Sequence, residues 1–360
     1  MKQDRWWLRA PVLVAPDKFK GTYSAAEVAE AIADGLREAG RNAEELPVAD
    51  GGEGTADALV RALGGEWQEA DAADALGRPI RARFALLTGG TRGSAPRGSG
   101  RARGSAPPRS GGRRASAPRG SGETAVVEAA EASGIARIRP QDRDAFAAST
   151  RGTGELIAAA CDAGASHVLV AVGGTATTDG GAGALAALDE AGVDPELTVI
   201  CDVRTPFEHA ARVFGPQKGA DPATVKRLQR RLTAFAKHAP RDPRGIPLTG
   251  AAGGLAGGLY AHRGARLVPG APFVLDALGF DARMRAASFV VTGEGRIDEQ
   301  TLEGKAAGEV AVRCLQAGVA CHAIVGEDAL DDFSLRVLAL DGLAEAGTPA
   351  ELRRAGRALA

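Results

Sequence analysis

Cysteine is rare in this chain: four in 360 residues, at positions 161, 201, 314 and 321. None forms a CxxC pair and each lies among apolar neighbours. Free buried thiols are expected, and a disulfide framework or a structural zinc site is excluded. The five histidines show no metal-ligand spacing. No apolar run approaches the roughly 18 residues that a transmembrane helix needs, so a membrane protein is not expected. The opening MKQDRWWLRAPVLVAPDKFK mixes charge into its apolar residues and runs straight into a strand pattern, unlike a signal peptide. A cytoplasmic protein is therefore expected. GxxxxGK[ST] is absent, which excludes a P-loop enzyme, and no Ser/His nucleophile signature occurs. Aromatics make up only 4% of the chain, whereas glycines number 49. Tight backbone turns, rather than aromatic anchors, carry the chain's character.

What is present is the composition of a globular protein: 44% apolar and 25% charged residues, with length enough for two domains. The net charge of −1 hides an asymmetry. Residues 92–122 hold eight arginines and no acid, and removing those eight leaves −9 on the remainder. The same stretch contains three tandem eleven-residue units beginning at Arg92, Arg103 and Arg114. Such Pro, Gly, Ser and Arg repeats cannot bury a core, so residues 89–122 are expected as a disordered loop. A basic, aromatic-free run of this kind points to no specific nucleic-acid target.

The chain is organised around residues 166–183, SHVLVAVGGTATTDGGAG. Residues 167–172 read as a buried strand that empties into a loop of glycines, threonines and one carboxylate, Asp179. Loops outside the carboxyl ends of such strands are where open α/β sheets bind ligands. Glycine backbone and the start of a helix near Gly181 suit an anion. The rhythm of strand, polar loop and helix repeats elsewhere. Residues 12–15 lead into Asp17, Lys18 and Lys20; Ser24 and Glu27 then form a capping box for a helix. Residues 46–49 lead into Asp50, Gly51, Gly52 and Glu53. A strand at 198–203 ends by Asp202, and one at 289–292 runs into Glu294, Arg296 and Asp298. Strands at 79–87 and 124–128, a helix at 126–132 and another at 155–163 are expected between them. The rhythm means a doubly wound parallel sheet.

Taken singly, each strand-end acid reads equally well as a helix cap. Their repeated placement beside Lys18, Lys20, Arg151, Lys218, Arg296 and Lys305 points instead to Mg²⁺ and phosphate chemistry. Gly181 to Ala186 also fits GxGxxA with Asp202 about 20 residues on, the dinucleotide pattern. That pattern wants its first glycine directly after the strand, and ATTDG intervenes here. A dinucleotide-dependent oxidoreductase and a non-catalytic small-acid sensor are the rival readings.

Seven stretches in order resemble the bacterial glycerate kinases: APDKFKGTYSA (15–25), LPVADGGEGT (46–55), TRGTGELI (150–157), VGGTATTDGGAG (172–183), VFGPQKGA (213–220), GAAGGLAGGL (250–259) and VTGEGRIDEQTLEGK (291–305). Thr205 stands where that family usually has Asn, Ala307 where it usually has Pro, and the repeats lengthen a loop that is short in relatives. The resemblance implies a flavodoxin-like doubly wound domain built from residues 1–75 and 286–360, with a second α/β domain, 76–285, inserted. It also implies ATP, Mg²⁺ and D-glycerate bound between the domains, with 2-phosphoglycerate as product and 3-phosphoglycerate as the alternative. On that basis Asp50, Asp179, Lys18 and Lys20 are expected to be catalytic, and Asp179 and Asp202 to hold the metal. Gly173, Gly174, Thr175, Thr177, Gly180, Gly181, Lys218 and Lys305 are expected at the nucleotide. Asp17, Glu53, Arg151, Glu294, Arg296 and Asp298 are expected at glycerate. The oligomeric state is left open, with a homodimer among the options.

Overall fold

A computed structural model describes residues 10–88, 123–302 and 304–360. The repeat loop expected at 89–122 lies outside the described residues. Among those described, eleven strands form two sheets. They are β1 (Val12–Pro16), β2 (Ala43–Glu45), β3 (Gly65–Ala73), β4 (Pro79–Leu87), β5 (Glu123–Glu128) and β6 (Ala165–Ala171). Then come β7 (Glu196–Cys201), β8 (Arg266–Pro269), β9 (Val290–Glu294), β10 (Cys321–Val325) and β11 (Gly342–Glu345).

The first sheet has the order β11-β10-β9-β1-β2 and is parallel throughout. Numbered within itself, that is the 2-1-3-4-5 order of flavodoxin-like sheets, drawn from the two ends of the chain. Every residue of β1 is buried, as expected of a central strand covered on both faces. The helix Ala25–Glu38 begins at the predicted capping box, with Ser24 accepting from the Glu27 amide and Glu27 answering to Ser24. It packs on Pro349–Ala358 from the other chain end. A Cβ on Gly35 would sit 2.0 Å from the Arg353 carbonyl, and one on Gly356 2.4 Å from the Ile32 carbonyl. Only glycine lets these two helices approach so closely.

The second sheet has the order β3-β4-β5-β6-β7-β8. Its β3–β4 and β4–β5 pairs are antiparallel, and the remainder is parallel. The chain is thus α/β with two parallel-dominated sheets. Against the expected divisions at 75 and 285, strand pairing puts Gly65–Ala73 in the second sheet. The segment 271–287 buries Ala271, Val274, Phe280 and Met284 in one core with Leu13 and Val290 of the first. β3 escapes sequence reading because GEWQEADAA is a polar, mostly half-buried edge strand with no apolar stripe. The strand expected at 124–128 is β5, where Val126 and Val127 pair with Leu169 and Val170; the helix expected over 126–132 starts only after that pairing ends and is Ala129–Ser133. Residues 46–49 fall just beyond β2, yet Leu46 and Val48 still donate to Val14 and Pro16 of β1.

Candidate active site

The two sheets meet at their carboxyl ends; Ala56 and Leu59 pack on Val126, Leu169 and Ile200 of the second sheet, and beside that apolar contact backbone meets backbone. The Gly173 amide donates to the Gly51 carbonyl at 3.2 Å. A Cβ on Gly173 would lie 2.5 Å from Gly52 Cα and 2.9 Å from Asp202 Oδ2. A Cβ on Gly270 would lie 1.7 Å from the Asp50 carbonyl. Glycine at these positions is a condition of the junction, because any side chain would wedge the halves apart.

Four strand-end carboxylates face this junction: Asp17 after β1, Asp50 after β2, Asp202 after β7 and Glu294 at the end of β9. Burial, and then the charge of Asp50, pushes the Asp17 carboxyl up to about 8. The same two causes push Asp202 up to about 6. Burial raises Glu294 to about 7, against the hydrogen bond it accepts from Thr301 Oγ1 at 2.7 Å. Asp50 is thus the common neighbour of the other three. Its Oδ1 accepts from the Gly52 amide at 3.1 Å, and Oδ2 has no protein donor among the described residues. The cluster is a concentration of negative charge on oxygen ligands. Among the described residues no three His, Cys, Asp or Glu side chains close into a metal cage. Mg²⁺, which takes one or two carboxylates and completes its shell with water and phosphate, needs no such cage.

Lysines border the cluster. Lys18 Nζ donates to the Glu53 carbonyl, and its charge acts on Asp17, Glu128 and Asp202. Lys218 is 4% exposed, and its Nζ donates to the Thr177 carbonyl at 2.6 Å and to Thr175 Oγ1 at 3.4 Å. Burial pulls this ammonium down to about 8, opposed by Asp202 and Asp179. Lys305 precedes the helix Ala306–Ala317 and acts on Glu294. Lys20 is exposed, beside Gly295. Among the described residues every ion pair is made by an arginine, so none of these lysines is held in a side-chain ion pair.

Several expected residues are turned elsewhere. Asp179 is 6% exposed and faces inward. Its Oδ2 accepts from the Thr150 amide (2.8 Å), Thr150 Oγ1 (2.9 Å) and the Gly183 amide (3.2 Å), and its Oδ1 from the Gly181 amide (3.0 Å). The carboxylate is spent on fixing the start of the helix Ala182–Ala191 against Thr150. Gly180 faces Leu232 and Phe207, and Gly181 faces Leu255. With the Gly181 and Gly183 amides already bonded, that helix start is closed to a dinucleotide, contrary to the GxGxxA pattern. Gly174 and Thr175 bend back on residues 134–135, while the buried Thr177 and Thr178 hydroxyls have no partner among the described residues. Arg151 lies on the surface, bound to Glu155 (2.9 Å) and Glu190 (2.5 Å). Arg296 pairs with Glu327 at 3.1 Å, Asp298 accepts from the Gln300 amide at 2.9 Å, and Glu53 is exposed with only its carbonyl turned to Lys18.

One residue of the junction escaped the sequence reading. Glu128, 5% exposed at the end of β5, accepts from the Gly54 amide at 2.9 Å and the Ala56 amide at 2.8 Å. It is a strand-end acid like the others, at the end of the strand expected at 124–128, but the helix expected over 126–132 covers the same position and no glycine-rich loop follows it to mark it. Burial raises its carboxyl to about 7.

Comparison with known proteins gives the family. The glycerate kinase family model matches residues 12–196 and 189–346. The glycerate kinase of Halalkalibacterium halodurans is 36% identical over 354 residues, covering 88% of this chain and 85% of the relative. The glycerate 2-kinase of Escherichia coli K12 is 34% identical over 333 residues, covering 82% and 79%. A crystal structure of a Salmonella typhimurium LT2 protein superposes with TM-score 0.74 at 31% identity, over 97% of both chains. With the family model covering both sheets, the chain belongs to the glycerate kinase family of enzymes.

Proposed function

We propose that this enzyme transfers the γ-phosphoryl group of ATP to the 2-hydroxyl of D-glycerate, with Mg²⁺, to give 2-phosphoglycerate. The observation that carries the reading is the meeting of Asp17, Asp50, Asp202 and Glu294 with Lys18 and Lys218 where two parallel sheets abut. Phosphoryl transfer asks a protein for little more than cations, a metal-holding acid and an oriented hydroxyl. The all-oxygen donor set and the three carboxyls pushed above their ordinary range suit a hard divalent cation. Asp202 is the residue assigned to hold it; bound there, Mg²⁺ would offset charge on the transferring phosphoryl group.

Asp50, only partly exposed and with Oδ2 free of protein donors among the described residues, is the acid assigned to accept the proton of the attacking hydroxyl. Lys18 and Lys218 supply positive charge at the junction for phosphate or carboxylate, with Lys20 and Lys305 at its rim. Glu294, oriented by Thr301, and Asp17 complete the acids of the junction and are the groups assigned to the glycerate side. Asp179 is withdrawn from the metal and serves as an anchor. The glycine contacts hold the loops of both halves in register across the junction.

The test is a coupled assay with ATP, Mg²⁺ and D-glycerate, with the product's phosphate position read by NMR. Turnover to 2-phosphoglycerate is expected. Absence of turnover would refute the reaction, and a 3-phosphate product would refute its regiochemistry. Asp202→Asn should raise the Mg²⁺ needed for half-maximal rate and be partly rescued by excess metal, whereas Asp50→Asn should lower kcat at an unchanged Mg²⁺ requirement.

A further inference from the structure

The helix Thr55–Leu63 begins at Gly54, whose backbone is left-handed (φ 95°) and which has no side chain to cap the first turn. Free amides at a helix start commonly await an anion. Here they are already taken, and by the other sheet: Glu128 Oε1 receives both the Gly54 and the Ala56 amides. The capped turn directly follows the loop that carries Asp50, Gly52 and Glu53. Thr55 Oγ1 donates to the Gly52 carbonyl at 2.7 Å, and the Asp50 side chain receives the Gly52 amide. A continuous set of hydrogen bonds therefore runs from Glu128 on β5, through the first turn of the helix, to the side chain of Asp50. No other residue of β5 reaches this loop by a side-chain hydrogen bond among the described residues.

We propose that Glu128 is a positioning residue for catalysis: its carboxylate fixes the 50–54 loop across the junction and thereby sets the place of Asp50. The inference rests on the role assigned to Asp50 above. Glu128 touches no substrate and acts through the loop. It is also the one side chain of β5 that makes the acid of the first sheet depend on the fold of the second.

The test is a set of substitutions at Glu128 read in two backgrounds. Glu128→Ala should lower kcat about tenfold or more, the scale that a displacement of order 1 Å costs, with KM for glycerate changed less than about threefold. Glu128→Gln keeps an acceptor oxygen at the same reach and should restore most of the rate. In an Asp50→Asn enzyme, Glu128→Ala should cost less than about threefold, because the residue through which it acts is already disabled. The same loss in both backgrounds, or a glutamine variant no better than alanine, overturns the proposal. Where the alanine variant does not fold, Glu128→Asp keeps the charge, withdraws the oxygens by one methylene and should fall in the same direction. An inactive wild type would refute the proposed reaction instead, and amide hydrogen exchange then reads the placement directly. The Gly54 and Ala56 amides should be protected in wild type and Glu128→Gln and exchange at least about tenfold faster in Glu128→Ala; equal protection in all three overturns it.

Discussion

Replacing Asp179 with asparagine separates two readings of the glycine loop. In the wild type four donors converge on this one buried carboxylate: the Thr150, Gly181 and Gly183 amides and the Thr150 hydroxyl. The hydroxyl cannot turn away, because Thr150 Oγ1 is itself the acceptor for the Ala184 amide. Asparagine keeps one acceptor oxygen, which takes the Oδ2 place and stays with the Thr150 and Gly183 donors. Its amide group then faces the Gly181 amide donor to donor, leaving that amide unpaired in a dry site, and the other three bonds lose their charged acceptor. At roughly 1–3 kcal/mol for a buried donor left unpaired, with the weakening of the three remaining bonds added, the cost is about 3 kcal/mol. That is a large share of the 5–15 kcal/mol by which proteins of ordinary stability stay folded. Urea unfolding followed by far-UV circular dichroism measures it, alongside the Mg²⁺ dependence of residual activity. The expected pattern is a strongly destabilised protein whose surviving fraction has an ordinary Mg²⁺ requirement. Stability within about 1 kcal/mol of wild type, with a raised Mg²⁺ requirement, would refute the anchoring argument and return Asp179 to the metal.

Gly173→Ala places a methyl 2.5 Å from Gly52 Cα and should lower kcat at least about tenfold while leaving the separate cores folded; wild-type kinetics would show that the halves are not held at this contact. Asp17, with its carboxyl raised from 3.8 to about 8, binds more protons folded than unfolded between those limits, so it lowers stability as pH rises through that window. Asp17→Asn should flatten that fall, read as urea midpoints at pH 5 and pH 8.5; an unchanged difference between the two would sink the argument. Arg151→Ala should leave kcat and KM within about twofold and cost no more than about 1 kcal/mol, since Arg151 and Glu190 are exposed and the half-buried Glu155 keeps its bond from the Ala73 amide. A large rise in KM for glycerate would put Arg151 back at the substrate.

The sequence was most readable where a local rule decided the outcome. The Ser24 and Glu27 capping box, the alternation of residues 79–87 and the helix at 306–317 appear where their patterns place them. Asp17, Asp50, Asp202 and Glu294 share a position in the strand-loop-helix unit, so their convergence follows once the sheets meet at their carboxyl ends. Asp179 has that same position, but its fate depends on Thr150, 29 residues away. Arg151 is diverted by Glu190 at a separation of 39, and Glu128 is recruited by Gly54 at 74. No periodicity announces pairings of that kind. β3 was missed for a different reason: an edge strand with a wet face needs no apolar stripe, and its register comes entirely from β4.

The order of strands in the first sheet also sets an order of events. β1 lies between β2, its neighbour in sequence, and β9, with which it aligns Leu13 beside Val290. The Thr292 hydroxyl reaches the Ala15 carbonyl across 277 residues. A ribosome adding roughly 5–20 residues per second needs about 14–55 s to cover that distance. For all that time a strand apolar along its whole length waits with one edge unpaired, whereas the second sheet has all its strands once Pro269 is made, before β9 exists. That sheet can then form first, and the earlier-made β1 is exposed to aggregation until the last fifth of the chain emerges. Conditions that slow synthesis between β8 and β9 should therefore lower the soluble yield more than the same delay placed after β11.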